Sequence, residues 1–188
     1  KNKELIIISP SYGKNNLLEI CGMELLDILL NSNFEILLRP HFKTLKESKK
    51  LINTILDKFG NNPNFVLEEG IIPSEKFHKS KCMISDWSGI SLEYAFTFER
   101  PVVFIDVPKK ILNPNSTDIS LEPIEISIRE KIGYVISPTN LVEIPNIIKK
   151  FNDDKLLNNQ IKKIRSETVY HIGNSAEIGS KYIQELIS

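Results

Sequence analysis

Along the first 107 residues, short apolar runs alternate with stretches whose apolar positions recur at helical spacing. Residues 5–8 form a compact β-branched run, ended by the loop signal Ser9-Pro10-Ser11-Tyr12-Gly13. Over residues 16–30, Leu18, Cys21, Leu25, Ile28 and Leu29 recur at the spacing of one helix face. Residues 34–38 predict a second strand, stopped by Arg39-Pro40-His41. Residues 45–59 predict a lysine-rich amphipathic helix closed by Gly60. A short strand at 65–67, a short helix at 73–79, a strand at 83–85, a helix at 91–98 and a strand at 102–107 follow. This alternation predicts an α/β fold: a Rossmann-like parallel sheet with right-handed crossovers and helices on both faces. After Val107 the pattern breaks. Residues 108–123 are polar and irregular, and long enough to predict a ligand-contacting loop. A last strand is expected at 134–136, then helices at 141–151, 154–166 and 174–186.

At 188 residues the chain is one domain's length, so 1–188 is expected to be a single domain with C-terminal helices. The 24 basic and 24 acidic residues cancel, which argues against nucleic acid as a partner and against a strongly basic membrane patch. Two cysteines in apolar contexts make no disulfide framework and suit a reducing cytoplasm. No apolar run reaches the length of a membrane span, and no signal peptide is recognisable. The cysteines and the three histidines show no metal-ligand spacing, so neither a metal nor a resident cofactor is expected. The glycine patterns of dinucleotide folds and P-loops are missing. So is a nucleophile elbow, since Asp86-Trp87-Ser88-Gly89 lacks the preceding glycine.

The chemistry gathers at three expected strand ends. Open α/β sheets bind ligands at the carboxyl edge of their strands, often with phosphate at a helix start. Ser9, Ser11, Tyr12 and Gly13 make one cluster, Arg39 and His41 a second, and Asp86, Ser88, Gly89 and Ser91 a third. Together they describe an anion pocket. Arg39 supplies a fixed charge and a planar fork, His41 a donor for a leaving phosphate. Backbone N–H groups of Gly89 to Ser91 point out of the helix start, and the Ser88 and Ser91 hydroxyls add donors. Glu93, on the first turn behind the serines, is a candidate ribose contact or a dipole-complementing acid. Asp86 and Ser88 are equally good helix caps, and Arg39-Pro40-His41 equally a solvent-facing turn. Trp87 is read as packing on a neighbouring loop, and His78 and His171 as surface residues.

ISPSYG after the first strand, LLRPH after the second and MISDWSGISLEYAFTFERPVVFID resemble the C-terminal half of the CDP-glycerol glycerophosphotransferases, the teichoic-acid polymerases and primases of bacterial envelopes. In that family these stretches read as a Pro-Thr strand end, an Arg/Lys-x-His-Pro-like strand end, and Thr-Asp-Tyr-Ser-Ser before a helix and a Lys-Pro-Val-Ile-Phe strand. HIGNSAEIGSKYIQELI is similar to the family's closing helix. Trp87 stands for the tyrosine, Gly89 for the second serine, and His41 is followed by Phe42. The resemblance implies a GT-B transferase of two Rossmann-like domains, of which this chain is the donor-binding one. His41, Ser88 and Ser91 would contact the pyrophosphate of CDP-glycerol or a similar donor. The catalytic base would lie in an N-terminal acceptor domain, and the whole enzyme would work peripherally at the inner face of the cell membrane. Glu125 and Arg129 belong to the donor site or to a salt bridge. The alternatives are a UDP-sugar-dependent glycosyltransferase or epimerase domain and a noncatalytic α/β binding module.

Overall fold

The computed structural model describes residues 3–109, 120–151 and 155–187. Most of the irregular segment after Val107, residues 110–119, lies outside the described residues, as does Asp154 at the start of an expected helix. Six strands are present: β1 (Leu5–Ile8), β2 (Glu35–Leu38), β3 (Phe65–Leu67), β4 (Ser80–Ser85), β5 (Val102–Ile105) and β6 (Gly133–Ile136). They form one sheet in the order β3-β2-β1-β4-β5-β6, and every neighbouring pair is parallel. Ile6, Ile7, Ile8, Cys82, Met83, Ile84, Val102 and Val103 have no exposed surface. A sheet covered on both faces demands that, which is why its strands read as unbroken apolar runs rather than as alternating ones.

The helices are α1 (Leu17–Asn31), α2 (Phe42–Glu47), α3 (Lys49–Phe59), α4 (Ser74–Lys79), α5 (Ile90–Phe98), α6 (Ile124–Ser127), α7 (Arg129–Ile132), α8 (Ile144–Lys150), α9 (Lys155–Thr168) and α10 (Ser175–Ile187). A 3₁₀ turn, Leu141–Glu143, leads into α8. α1 packs on α8, while α5 packs on α4 and α9, and α9 on α7. The single helix expected over 45–59 is two. It breaks at Ser48 (φ −113°, ψ 40°), and α2 starts at Phe42 because His41 caps it, Nδ1 accepting from the Lys43 N–H at 3.2 Å. β4 begins at Ser80, three residues before the expected 83, where Ser80 pairs with Leu5 of β1 and is buried, its hydroxyl hydrogen-bonded to that of Tyr94 at 2.8 Å.

Strand order sets the site. The chain moves outward from β1 to β3, returns to β4 beside β1, and then moves outward the other way. The loops leaving β1 and β4 therefore diverge to opposite faces and open a crevice at their carboxyl ends, where ligands bind in such sheets.

Candidate functional site

The loop from β1 to α1 is locked from below. Asp86, just past β4 and almost fully buried, accepts the Ser11 N–H at 2.7 Å on Oδ1 and the Leu17 N–H at 2.9 Å on Oδ2. Asn16 caps α1, its Oδ1 taking the N–H groups of Leu18 (2.8 Å) and Glu19 (3.2 Å), while its Nδ2 donates to the Gly13 carbonyl at 2.7 Å. The first N–H groups of α1 are thus satisfied inside the protein. Gly13 (φ 86°) and Asn15 (φ 58°) turn the loop through left-handed conformations. The helix that Asp86 serves is α1, across the sheet, not the α5 that follows it in sequence.

The turn from β4 to α5 is built differently. Ser91 is buried, and both its hydroxyl (2.7 Å) and its N–H (3.1 Å) donate to the Ser88 carbonyl. Gly89 is the exposed N-cap, with φ −58° and no side-chain cap. Among the described residues nothing accepts from the Gly89 or Ile90 N–H. Nor, its own chain neighbours aside, does any described residue come within 4 Å of where a Cβ on Gly89 would stand. Neither backbone conformation nor protein packing calls for a glycine here. What the glycine provides is room beside two outward-pointing donors.

Across the crevice, Tyr12 and His41 stack with ring centroids 4.6 Å apart, and Lys43 Nζ lies 4.6 Å above the Tyr12 ring. Because Nδ1 of His41 accepts from backbone, the neutral ring carries its proton on Nε2. On the other side Trp87 donates from Nε1 to the Val107 carbonyl at 2.8 Å. The Arg129 guanidinium sits 4.0 Å from the Trp87 ring centroid and 5.2 Å from that of Phe104, and pairs with Asp106 at 2.9 Å.

These walls enclose an open cavity of about 770 Å³. That is ample for a nucleotide-sized ligand. Of the residues expected at the site, Ser11, Tyr12, Gly13, His41, Ser88 and Gly89 line it. Asp86 and Ser91 lie beneath, holding the loops. Arg39, half-buried at the end of β2, and Glu93, exposed on α5, are not in the lining. Pro108, Lys109 and Pro123, from the segment expected as a ligand-contacting loop, line it too. Sequence reasoning missed Lys14, Asn15 and Ile126, which also line it, and left Glu125 open between two roles; Glu125 lines it as well. Lys14 was within reach, one residue past a turn already marked. Ile124, Ile128 and Ile132 carry a helical spacing that would have shown α6 and α7, and with them Glu125 and Ile126. Arg129 makes a salt bridge, behind the lining rather than in it.

Among the described residues no group of three or more His, Cys, Asp or Glu is placed to hold a metal ion. Positive charge in the cavity comes instead from Lys14 and Lys109. Neither cysteine is a nucleophile at neutral pH. Burial raises Cys21 from an ordinary 9.0 to about 11, with Glu24 and Asp86 adding to the shift, and burial raises Cys82 and the Tyr94 phenol further still.

No family profile matches the chain, and no curated protein matches it by sequence. Solved structures do match its fold. The C-terminal CMP-Kdo-binding domain of WaaA from Acinetobacter baumannii superposes with a TM-score of 0.58 at 12% identity, over 88% of this chain and 91% of that one. UDP-GlcNAc 2-epimerase from Neisseria meningitidis, bound to UDP-GlcNAc, gives 0.60 at 16% identity, over 97% of this chain but 45% of that one. Spinosyn forosaminyltransferase SpnP gives 0.58 at 14% identity, over 98% and 44%. The chain has the fold of a C-terminal GT-B domain. It spans less than half the length of the transferase and of the epimerase.

Proposed function

We propose that this chain is the donor-binding domain of a transferase that uses a nucleotide diphosphate, of the CDP-glycerol glycerophosphotransferase kind. The observation that carries the reading is the cavity at the crevice between β1 and β4. It combines open N–H groups at Gly89 and Ile90, the Ser88 hydroxyl, His41 and two lysines with the apolar surface of Pro108, Pro123 and Ile126. The polar groups suit a pyrophosphate, held by charge and by a helix start without a metal. The apolar surface suits a base. Glu125, the one carboxylate in the described lining, accepts from an amino or hydroxyl group there.

In such an enzyme an acceptor hydroxyl attacks the β-phosphorus of the donor. The new P–O bond forms as the bond from that phosphorus to the bridging oxygen breaks, and CMP departs carrying the charge. The acceptor's proton goes to a base on the acceptor domain. This domain's part is to hold the nucleotide and stabilise the charge growing on the departing phosphate, with donors already in place.

The second reading, a UDP-sugar-dependent domain, is favoured by the likeness to an epimerase that binds UDP-GlcNAc. Calorimetric titration with CDP, UDP and inorganic phosphate separates the two. CDP bound more tightly than UDP supports the first reading and the reverse order the second. A folded protein that binds neither nucleotide rules out both.

A further inference from the structure

We propose that Arg129 is the positioning residue of the nucleotide site: it braces together the two loops that bound the cavity, and so governs affinity for the donor. The proposal rests on the donor-binding reading of that cavity. As a device for stability alone, Arg129 is poorly made. The residue is 5% exposed, a costly place for a charge, and its Nε finds no partner among the described residues. Its ion-pair partner Asp106 is half exposed, where a salt bridge contributes little.

What the side chain does achieve is geometric. One face of the guanidinium region is taken by the Trp87 ring at 4.0 Å, with Phe104 at 5.2 Å, and an N–H of the fork reaches Asp106 at 2.9 Å. Trp87 in turn donates to the Val107 carbonyl at 2.8 Å. Trp87 leads directly into Ser88 and Gly89, and Val107 directly into Pro108 and Lys109, all four of which line the cavity. The backbone bonds at the exit of β5 run to β6 and within the strand: Asp106 N–H to the Ile136 carbonyl at 2.8 Å, and Val107 N–H to the Ile105 carbonyl at 2.9 Å. The tie from that exit back to the β4–α5 turn is made by side chains. Remove Arg129, and the tie between the phosphate-facing turn and the opposite wall rests on the Trp87 Nε1–Val107 bond alone, its indole no longer held by the guanidinium. A ligand that spans both then binds to a site that must first be assembled.

The test compares the wild-type chain with Arg129→Met, which keeps bulk without charge, Arg129→Lys, which keeps charge without the flat fork, Trp87→Phe, which loses the indole N–H, and the Arg129→Met/Trp87→Phe double variant. Calorimetry with CDP and UDP, thermal unfolding, and amide exchange of the ligand-free proteins are measured on each. Arg129→Met should weaken the preferred nucleotide by roughly tenfold or more and leave unfolding within a few degrees of wild type. Amides of Ser91 and Val107, hydrogen-bonded within the two loops, should exchange roughly tenfold faster, with those of Ile7 and Leu25 unchanged. Arg129→Lys should not restore affinity. The double variant should bind no worse than the poorer single one, since both cut the same tie. Unchanged exchange at Ser91 and Val107, or faster exchange throughout the domain with a matching drop in melting temperature, overturns the proposal. Should the wild-type chain bind neither nucleotide, the donor reading falls, and the exchange comparison still decides the brace.

Discussion

Asp86 and Gly89 stand three residues apart and do opposite work. Asp86 spends both carboxylate oxygens on the backbone of another loop, whereas Gly89 leaves its surroundings open. Asp86→Ala would strand two N–H donors, one at Ser11 and one at the first residue of α1. Each buried donor left unpaired costs about 1–3 kcal/mol, so the unfolding free energy should fall by roughly 3 kcal/mol. A loss below about 1 kcal/mol in denaturant titration would show that the loop holds itself. Gly89→Val should behave the other way. Its φ of −58° suits any residue and the space is empty, so the variant should fold with near wild-type stability. Its side chain would nevertheless stand in front of the Gly89 and Ile90 donors and abolish nucleotide binding in calorimetry. Retained affinity would move the phosphate away from this turn. The turn itself was plain in the sequence, because a small, hydroxyl-rich segment between an apolar run and a helix start is a local signal. Asp86's partner was not. Its first hydrogen bond spans 75 residues, and nothing local marks an aspartate as the lock of a distant loop rather than as the cap of the next helix.

At the scale of elements, the parallel strands were the easiest to read, since burial on both faces leaves three or four apolar residues in a row with nothing else to explain them. Elements shorter than two helical turns were harder. α2 and α3 merge in a periodicity reading because Ser48 breaks the helix without any glycine or proline, and α6 and α7, four residues each, leave only the spacing of Ile124, Ile128 and Ile132 as a signal. α10 was legible as a helix, but its environment was not. It has no buried residue, and Tyr182, Ile183, Leu186 and Ile187 are 59–80% exposed. A helix that buries nothing adds little to stability, so removing residues 175–187 should change the unfolding free energy by no more than about 0.5 kcal/mol. Loss of this exposed apolar surface should also reduce self-association in light scattering. A drop of about 2 kcal/mol or more would mean that α10 packs on the body in solution.

For the molecule as a whole, the proposed reading gives the cavity between β1 and β4 half of a reaction. Most polar groups in the described lining are suited to hold or neutralise an anionic donor: lysines at 14 and 109, a histidine, serines at 11 and 88 and two backbone N–H groups, with Glu125 the one carboxylate among them. None matches the base that the resembled family carries on its acceptor side. In fold, the chain covers 91% of the C-terminal CMP-Kdo-binding domain of WaaA but 44% and 45% of the two longer enzymes. Electrostatic stabilisation of a leaving group and proton removal from an acceptor are separate contributions to a barrier. A domain with only the first binds its donor without turning it over. This chain alone should therefore bind CDP or UDP and yet release no CMP from CDP-glycerol above the uncatalysed rate, whatever polyol or polymer acceptor is added. The measurement is CMP release by chromatography at donor concentrations that calorimetry shows to be saturating, so that lack of turnover cannot be traced to lack of binding. Release that depends on acceptor, and that disappears in Gly89→Val, would place a complete active site within these 188 residues and defeat the two-domain reading.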